Sequence, residues 1–120
     1  MAGSSIYRGD TDEWTLSVPL TIWSAGGTFF FAVKSKGDIN TADLTDANAV
    51  LKKEYDDTFI TSTTDTDKVY TLDLTHADTV GTTPGKYIAE FQWVNADASL
   101  VKTFTPFRYQ IKGDVNQRVA

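Results

Sequence analysis

The sequence has no cysteine and a single histidine among its 120 residues. The first absence removes disulfides, thiolate nucleophiles and cysteine-based zinc sites together, and it leaves the redox compartment open. The second leaves His76 as the only imidazole for a Ser-His-Asp arrangement, and it lacks the short Gly-x-Ser-x-Gly context that would favour one. Lysine and arginine are nowhere clustered, and the formal net charge is −5. Binding to a phosphate backbone needs a basic footprint to displace counterions, so nucleic acid is not an expected partner. An anionic membrane surface is disfavoured for the same reason. No stretch reaches the roughly 20 apolar residues of a membrane helix. The opening "MAGSSIYRGD" also lacks the basic region and apolar run of a secretory signal, so no signal peptide is expected. Helices of useful length, internal repeats and low-complexity linkers are missing too.

What is present is apolar material arranged with a period of two. Hydrophobic residues make up 41% of the chain and aromatics 12%, enough for a core and too many for a disordered chain. In "DEWTLSVPLTIW", Trp14, Leu16, Val18, Leu20 and Ile22 share one parity, while Thr15, Ser17, Pro19 and Thr21 share the other. That alternation marks a half-buried strand. Pro19 cannot donate to a ladder, which places it on an edge strand or at a bulge or bend where the chain changes sheets. "GTFFFAVKS" sets Phe29, Phe31 and Val33 on one face, and Val50, Leu51, Tyr55, Phe59 and Ile60 suggest one strand or two short ones. "DKVYTLDLT", "GKYIAEFQWV" and "FRYQIKG" alternate in the same way, the last after a break at Pro106.

Turn chemistry separates these runs. "NADAS", residues 95–99, reads as a hairpin loop, and Pro84-Gly85 as the centre of a type II turn in which glycine supplies a positive φ. Thr75 and Asp78 read as a capping box around one short helical turn, and "DINTADLTDAN" as the place for a second. The expected fold is therefore all-β: an antiparallel β-sandwich of about seven to eight strands with one or two short helical turns. It forms a single domain over 1–120, with a core from about 6 to 115 and short flexible ends.

Candidate chemistry is thin. His76 reads as a solvent-facing residue at a helix start rather than a catalytic base. Asp56, Asp57, Asp65 and Asp67 gather carboxylates in loops, but without the ligand order and glycine of an EF-hand, so a solvated acidic loop is the better reading and no metal is expected. Glu13, Glu54 and Glu90 are scattered, with no sign of a glycosidase pair. Trp14 and Trp93 lie in register with the apolar faces and read as core. Trp23 is the one tryptophan free to form an interaction surface, for example a sugar-stacking one. No catalytic residue and no cofactor are assigned.

The order of the motifs is informative as a set. Arg8-Gly9-Asp10-Thr11 opens the domain, followed by Phe31-Ala32-Val33-Lys34 and then Leu74-Thr75-His76-Ala77-Asp78-Thr79. Pro84-Gly85-Lys86-Tyr87 and the exit Gly113-Asp114-Val115 complete it. This succession resembles the small immunoglobulin-like domain of tailed bacteriophages, best known as the N-terminal domain of baseplate upper proteins, over about residues 6–115. Two departures stand out: members usually continue into trimerising or receptor-binding segments, and the loop at 38–49 is long. The resemblance implies an immunoglobulin-like sandwich and a non-enzymatic virion component of the tail, baseplate or capsid surface. It would be assembled in the host bacterial cytoplasm, docked onto other virion proteins and present as a homo-oligomer within the particle. A carbohydrate-binding or adhesin module built on Trp23 is the alternative, and a hydrolase using His76 or a carboxylate pair a third.

Arg8-Gly9-Asp10 also spells a cell-adhesion tripeptide. An adhesive tripeptide needs a protruding loop tip, whereas this one precedes a strongly patterned strand. The physical expectation is a tight structural turn in which Gly9 gives backbone freedom and Asp10 bonds the amides two residues on. Arg8 is expected to pair with a carboxylate on a neighbouring strand.

Overall fold

The computed structural model describes residues 4–35 and 49–113. Its strands are β1 (Ser4–Tyr7), β2 (Asp12–Pro19), β3 (Thr28–Ser35), β4 (Leu51–Tyr55), β5 (Ile60–Thr63), β6 (Asp67–Leu74), β7 (Gly85–Val94), β8 (Val101–Thr103) and β9 (Phe107–Lys112). One helical turn, α1, spans His76–Thr79, and a 3₁₀ turn spans Asp57–Phe59. The capping box expected of Thr75 and Asp78 is present in α1. The second helical turn expected from "DINTADLTDAN", and the Asp114-Val115 exit, lie outside the described residues.

The strands form two sheets, one ordered β1-β9-β7-β3-β4 with β8 also on β7, the other ordered β2-β6-β5. This is the order of an immunoglobulin-like sandwich. Strand pairing is antiparallel except between β1 and β9, where Ile6 lies beside Ile111 in a parallel pair. β1 is the strand that alternation does not reveal, because it is four residues long and Ile6 is the residue it packs against the core. Counting it and the three-residue β8, the described residues form nine strands.

Alternation dictates what is buried. On β3, Phe29, Phe31 and Val33 are buried, and so are Tyr87, Ala89, Phe91 and Trp93 on β7 and Phe107, Tyr109 and Ile111 on β9. From the small sheet, Tyr70, Leu72 and Leu74 of β6 are fully buried. Trp14 reaches across the sandwich to Phe31 and Phe91, each with ring centroids at 5.1 Å, and to Tyr109 at 5.9 Å. One indole thereby contacts β3, β7 and β9, linking the sheets where disulfide-bearing immunoglobulin domains use a cystine.

The Pro84-Gly85 expectation is corrected here. Among the described residues only Gly9, Gly26 and Ala98 have positive φ, and Gly85 is instead the first residue of β7, opposite Ile111. Its lack of a side chain serves Tyr87, whose hydroxyl oxygen would stand 3.1 Å from a Cβ at Gly85. The ring folds back so that its hydroxyl donates to the Thr83 carbonyl at 2.6 Å, the tyrosine corner of this architecture. A Cβ on Gly27 would fall 2.5 Å from the Trp93 ring, so that position too is set by an aromatic neighbour.

Candidate functional site

The Arg8-Gly9-Asp10 turn joins β1 to β2 and therefore crosses from one sheet to the other. It is closed by the Asp10 N–H donating to the Tyr7 carbonyl at 3.0 Å, with Gly9 at φ +90°. That φ is the left-handed region in which glycine carries no steric penalty. α1 then fastens the turn. The Thr79 hydroxyl, fully buried, accepts from the Gly9 N–H at 3.1 Å and donates to the Asp10 carbonyl at 2.8 Å. His76 Nδ1 lies 2.7 Å from the Gly9 carbonyl oxygen, which can only accept, so the proton sits on Nδ1. His76 is thus half-buried and structural rather than solvent-facing. Three backbone groups of the tripeptide are thus held by a neighbouring element, as a structural turn requires.

Two details of that turn differ from expectation. The carboxylate that bonds the backbone is Asp12, which accepts from the Glu13 N–H at 2.9 Å, rather than Asp10. Arg8 has no carboxylate partner among the described residues. It is held by its backbone, whose N–H donates to the Lys112 carbonyl at 2.8 Å.

Next to α1 lies a polar network that the sequence pattern did not single out. Lys53 shares the inward parity of Leu51 and Tyr55, so its ammonium must find partners between the sheets. It donates to Asp78 Oδ2 at 2.6 Å and to the Asp73 carbonyl at 3.2 Å, and the Tyr55 hydroxyl donates to that carbonyl at 2.6 Å. Burial works to raise the Asp78 carboxyl, but the hydrogen bonds from Lys53 and Thr75, together with the Lys53 charge, hold it below the usual range. Tyr55 is pushed up, chiefly by burial and then by the charges of Asp73 and Asp78. Tyr109 is pushed up likewise by burial and by Asp12, to which its hydroxyl donates at 2.9 Å. Only the inward parity of Lys53 in "LKKEY" signalled this network, and parity alone cannot name the acceptors.

Trp23 stands at the Pro19 end of β2, where the chain leaves for β3. Its N–H donates to the Tyr70 hydroxyl at 2.9 Å, and that hydroxyl donates to Asp57 Oδ1 at 3.1 Å. Asp57 Oδ2 accepts from the Gly26 N–H at 2.8 Å. The Lys68 ammonium covers the indole, 4.5 Å from the ring centroid. Trp23 is therefore half-buried, with its N–H and one ring face already occupied. Pro84 is exposed in the loop before β7.

The loop carboxylates also hold local structure: Asp56 caps the 3₁₀ turn by accepting from the Thr58 N–H at 3.0 Å. Among the described residues no three His, Asp or Glu side chains are placed to hold a metal ion. Glu13 faces outward from the small sheet, and Glu54 and Glu90 face outward from the large one opposite Phe30 and Ala32. A shallow groove lined by Asp12, Glu13, Asp73 and Thr75 runs beside the start of β2.

One feature remains without an internal use. β2 pairs with β6 on one side, and among the described residues no strand pairs with its other side. Its inward Trp14 and Leu16 are only half-buried, although Leu72 and Tyr70 opposite them are completely so. Pro19 gave the sequence signal for this edge. No protein-family model matches the chain, and neither a curated protein nor a solved structure matches it.

Proposed function

We propose that this chain is a non-enzymatic assembly module of a bacteriophage particle, a component of the tail, baseplate or capsid surface that docks on other virion proteins. The observation that carries the docking part is the open edge of β2, eight residues long, with half-buried apolar side chains along its inner face. Natural sandwiches shorten, bulge or cover such edges when they are not used for pairing. The side chains with chemical potential support the non-enzymatic part, because His76, Lys53, Tyr55, Asp78 and Asp57 are each engaged in holding a loop or joining the sheets. The phage context rests on the ordered motif set from Arg8-Gly9-Asp10-Thr11 to Gly113-Asp114-Val115.

The test is to express the tagged full chain during infection and purify particles on a density gradient. The chain is expected to co-sediment with particles at constant stoichiometry through repeated purification. Its loss from washed, infectious particles would overturn the reading. Glycan binding abolished by Trp23→Ala would instead favour the adhesin alternative.

A further inference from the structure

We infer that the free edge of β2 is a self-association site, pairing antiparallel with β2 of a second copy across a two-fold axis at Thr15. This stands independently of whether the chain is a virion component. The argument begins with backbone direction. The Leu20 N–H donates to the Thr66 carbonyl at 2.8 Å, continuing the register in which Val18 faces Lys68 and Leu16 faces Tyr70. Backbone groups alternate sides along an antiparallel strand, so even-numbered residues bond β6 and odd-numbered ones point outward. Glu13, Thr15 and Ser17 therefore present N–H and C=O to the free side. The Glu13 N–H turning to the Asp12 carboxylate agrees with this. Pro19 ends the series, since it has no N–H and its carbonyl already accepts from Ile22 and Trp23.

A second copy is the occupant because the edge is complementary to itself. Placing Thr15 on the axis sets Glu13 opposite the second copy's Ser17, and these outward-pointing pairs exchange two hydrogen bonds each, the Glu13 N–H leaving the Asp12 carboxylate to do so. In the intervening non-hydrogen-bonded positions, Trp14 faces the second copy's Leu16, where side chains approach most closely. Asp12 faces Val18, so no carboxylate opposes another. A shift of two residues one way stacks Trp14 on its own copy and loses a hydrogen-bonded pair. The opposite shift brings Glu13 to Pro19, which can neither donate nor accept further. The Thr15-centred register alone uses every free group and covers both half-buried apolar residues. β5 does not offer such an edge, because it has four residues and its register breaks between Ile60 and Ser62.

An edge of this length buries less than the roughly 1,200–2,000 Å² of a tight complex, so dissociation in the micromolar range is expected. Sedimentation velocity on the full chain from about 5 to 500 μM should show a monomer–dimer equilibrium. Thr15→Pro removes an N–H on each side of the axis and should weaken association by about thirtyfold or more, with folding monitored by circular dichroism. Because the chain has no cysteine, Thr15→Cys gives an independent readout. Opposed residues of a hydrogen-bonded pair are about 5.5 Å apart, within disulfide reach. Mild oxidation should therefore yield a covalent dimer from Thr15→Cys and not from Ser62→Cys on β5. A wild-type chain that stays monomeric throughout that range, or a dimer unaffected by Thr15→Pro and not cross-linked through Thr15→Cys, overturns the proposal.

Discussion

β2 and β5 flank the same strand, β6, and solve the problem of a sheet edge in opposite ways. β5 is short, bulged and exposed in all but Ile60, with Thr61 and Thr71 hydroxyls 3.0 Å apart on its outer face. Such an edge offers little ordered backbone and few apolar contacts to a second strand. β2 is twice as long, regular throughout, and tethered at both ends, by Tyr109 at Asp12 and by the Pro19 turn that carries Trp23. The difference lies in what the inner face contributes. β2 supplies the half-buried indole that joins β3, β7 and β9, so it cannot be shortened or bulged without cost, and its outer edge stays regular along its whole length.

Truncation of the inner faces should separate the two edges most strongly. Trp14→Ala removes contacts to Phe31, Phe91, Phe107 and Tyr109 and should lower unfolding free energy by about 3–4 kcal/mol. Ile60→Ala, at a half-buried position of β5, should cost about 1 kcal/mol. Denaturant titrations of both variants measure the gap, and equal losses would mean that the edges share the core equally.

The next effect concerns β6, which both edges share. Lys53→Met removes the cation between Asp73 and Asp78 and should cost about 1 kcal/mol near pH 7. The Asp78 carboxyl lies below its ordinary value in the folded chain. Its contribution is therefore present above the unfolded carboxylate range of about 4 and is lost as pH falls through the lower folded value. Stability curves from pH 7 to 2 should show this acid loss in the wild type and a smaller one in Lys53→Met.

An effect of similar size lies on the β2 side. Tyr109 is raised above the ordinary tyrosine value by burial and by Asp12. Its contribution is complete below about pH 10, where the unfolded chain begins to ionise, and is lost as pH rises toward the folded value. Tyr109→Phe should cost about 1 kcal/mol at neutral pH and flatten the alkaline decline, as melting temperatures between pH 8 and 11 would reveal.

The strands with long inward faces were legible in the sequence because alternation is a local property. Trp14, Phe31, Tyr70, Phe91 and Tyr109 all lie on the faces that parity assigned. What was not legible depends on partners distant in the chain. β1 is defined by β9, more than a hundred residues away, and His76 by the Gly9 carbonyl. Gly85 reads as a turn glycine beside Pro84, yet its role is set by the ring of Tyr87 folding back over it. Pro19 came closest to announcing the proposed pairing edge, since a proline at that place fits an edge strand, a bulge or a bend.

The self-pairing of β2 can be read residue by residue through amide hydrogen exchange at low and high protein concentration. Thr15 and Ser17 should exchange rapidly in dilute solution and become protected as concentration rises, while Thr61 and Ser62 on β5 stay unchanged. Thr15 and Ser17 amides whose exchange is independent of concentration would contradict the account.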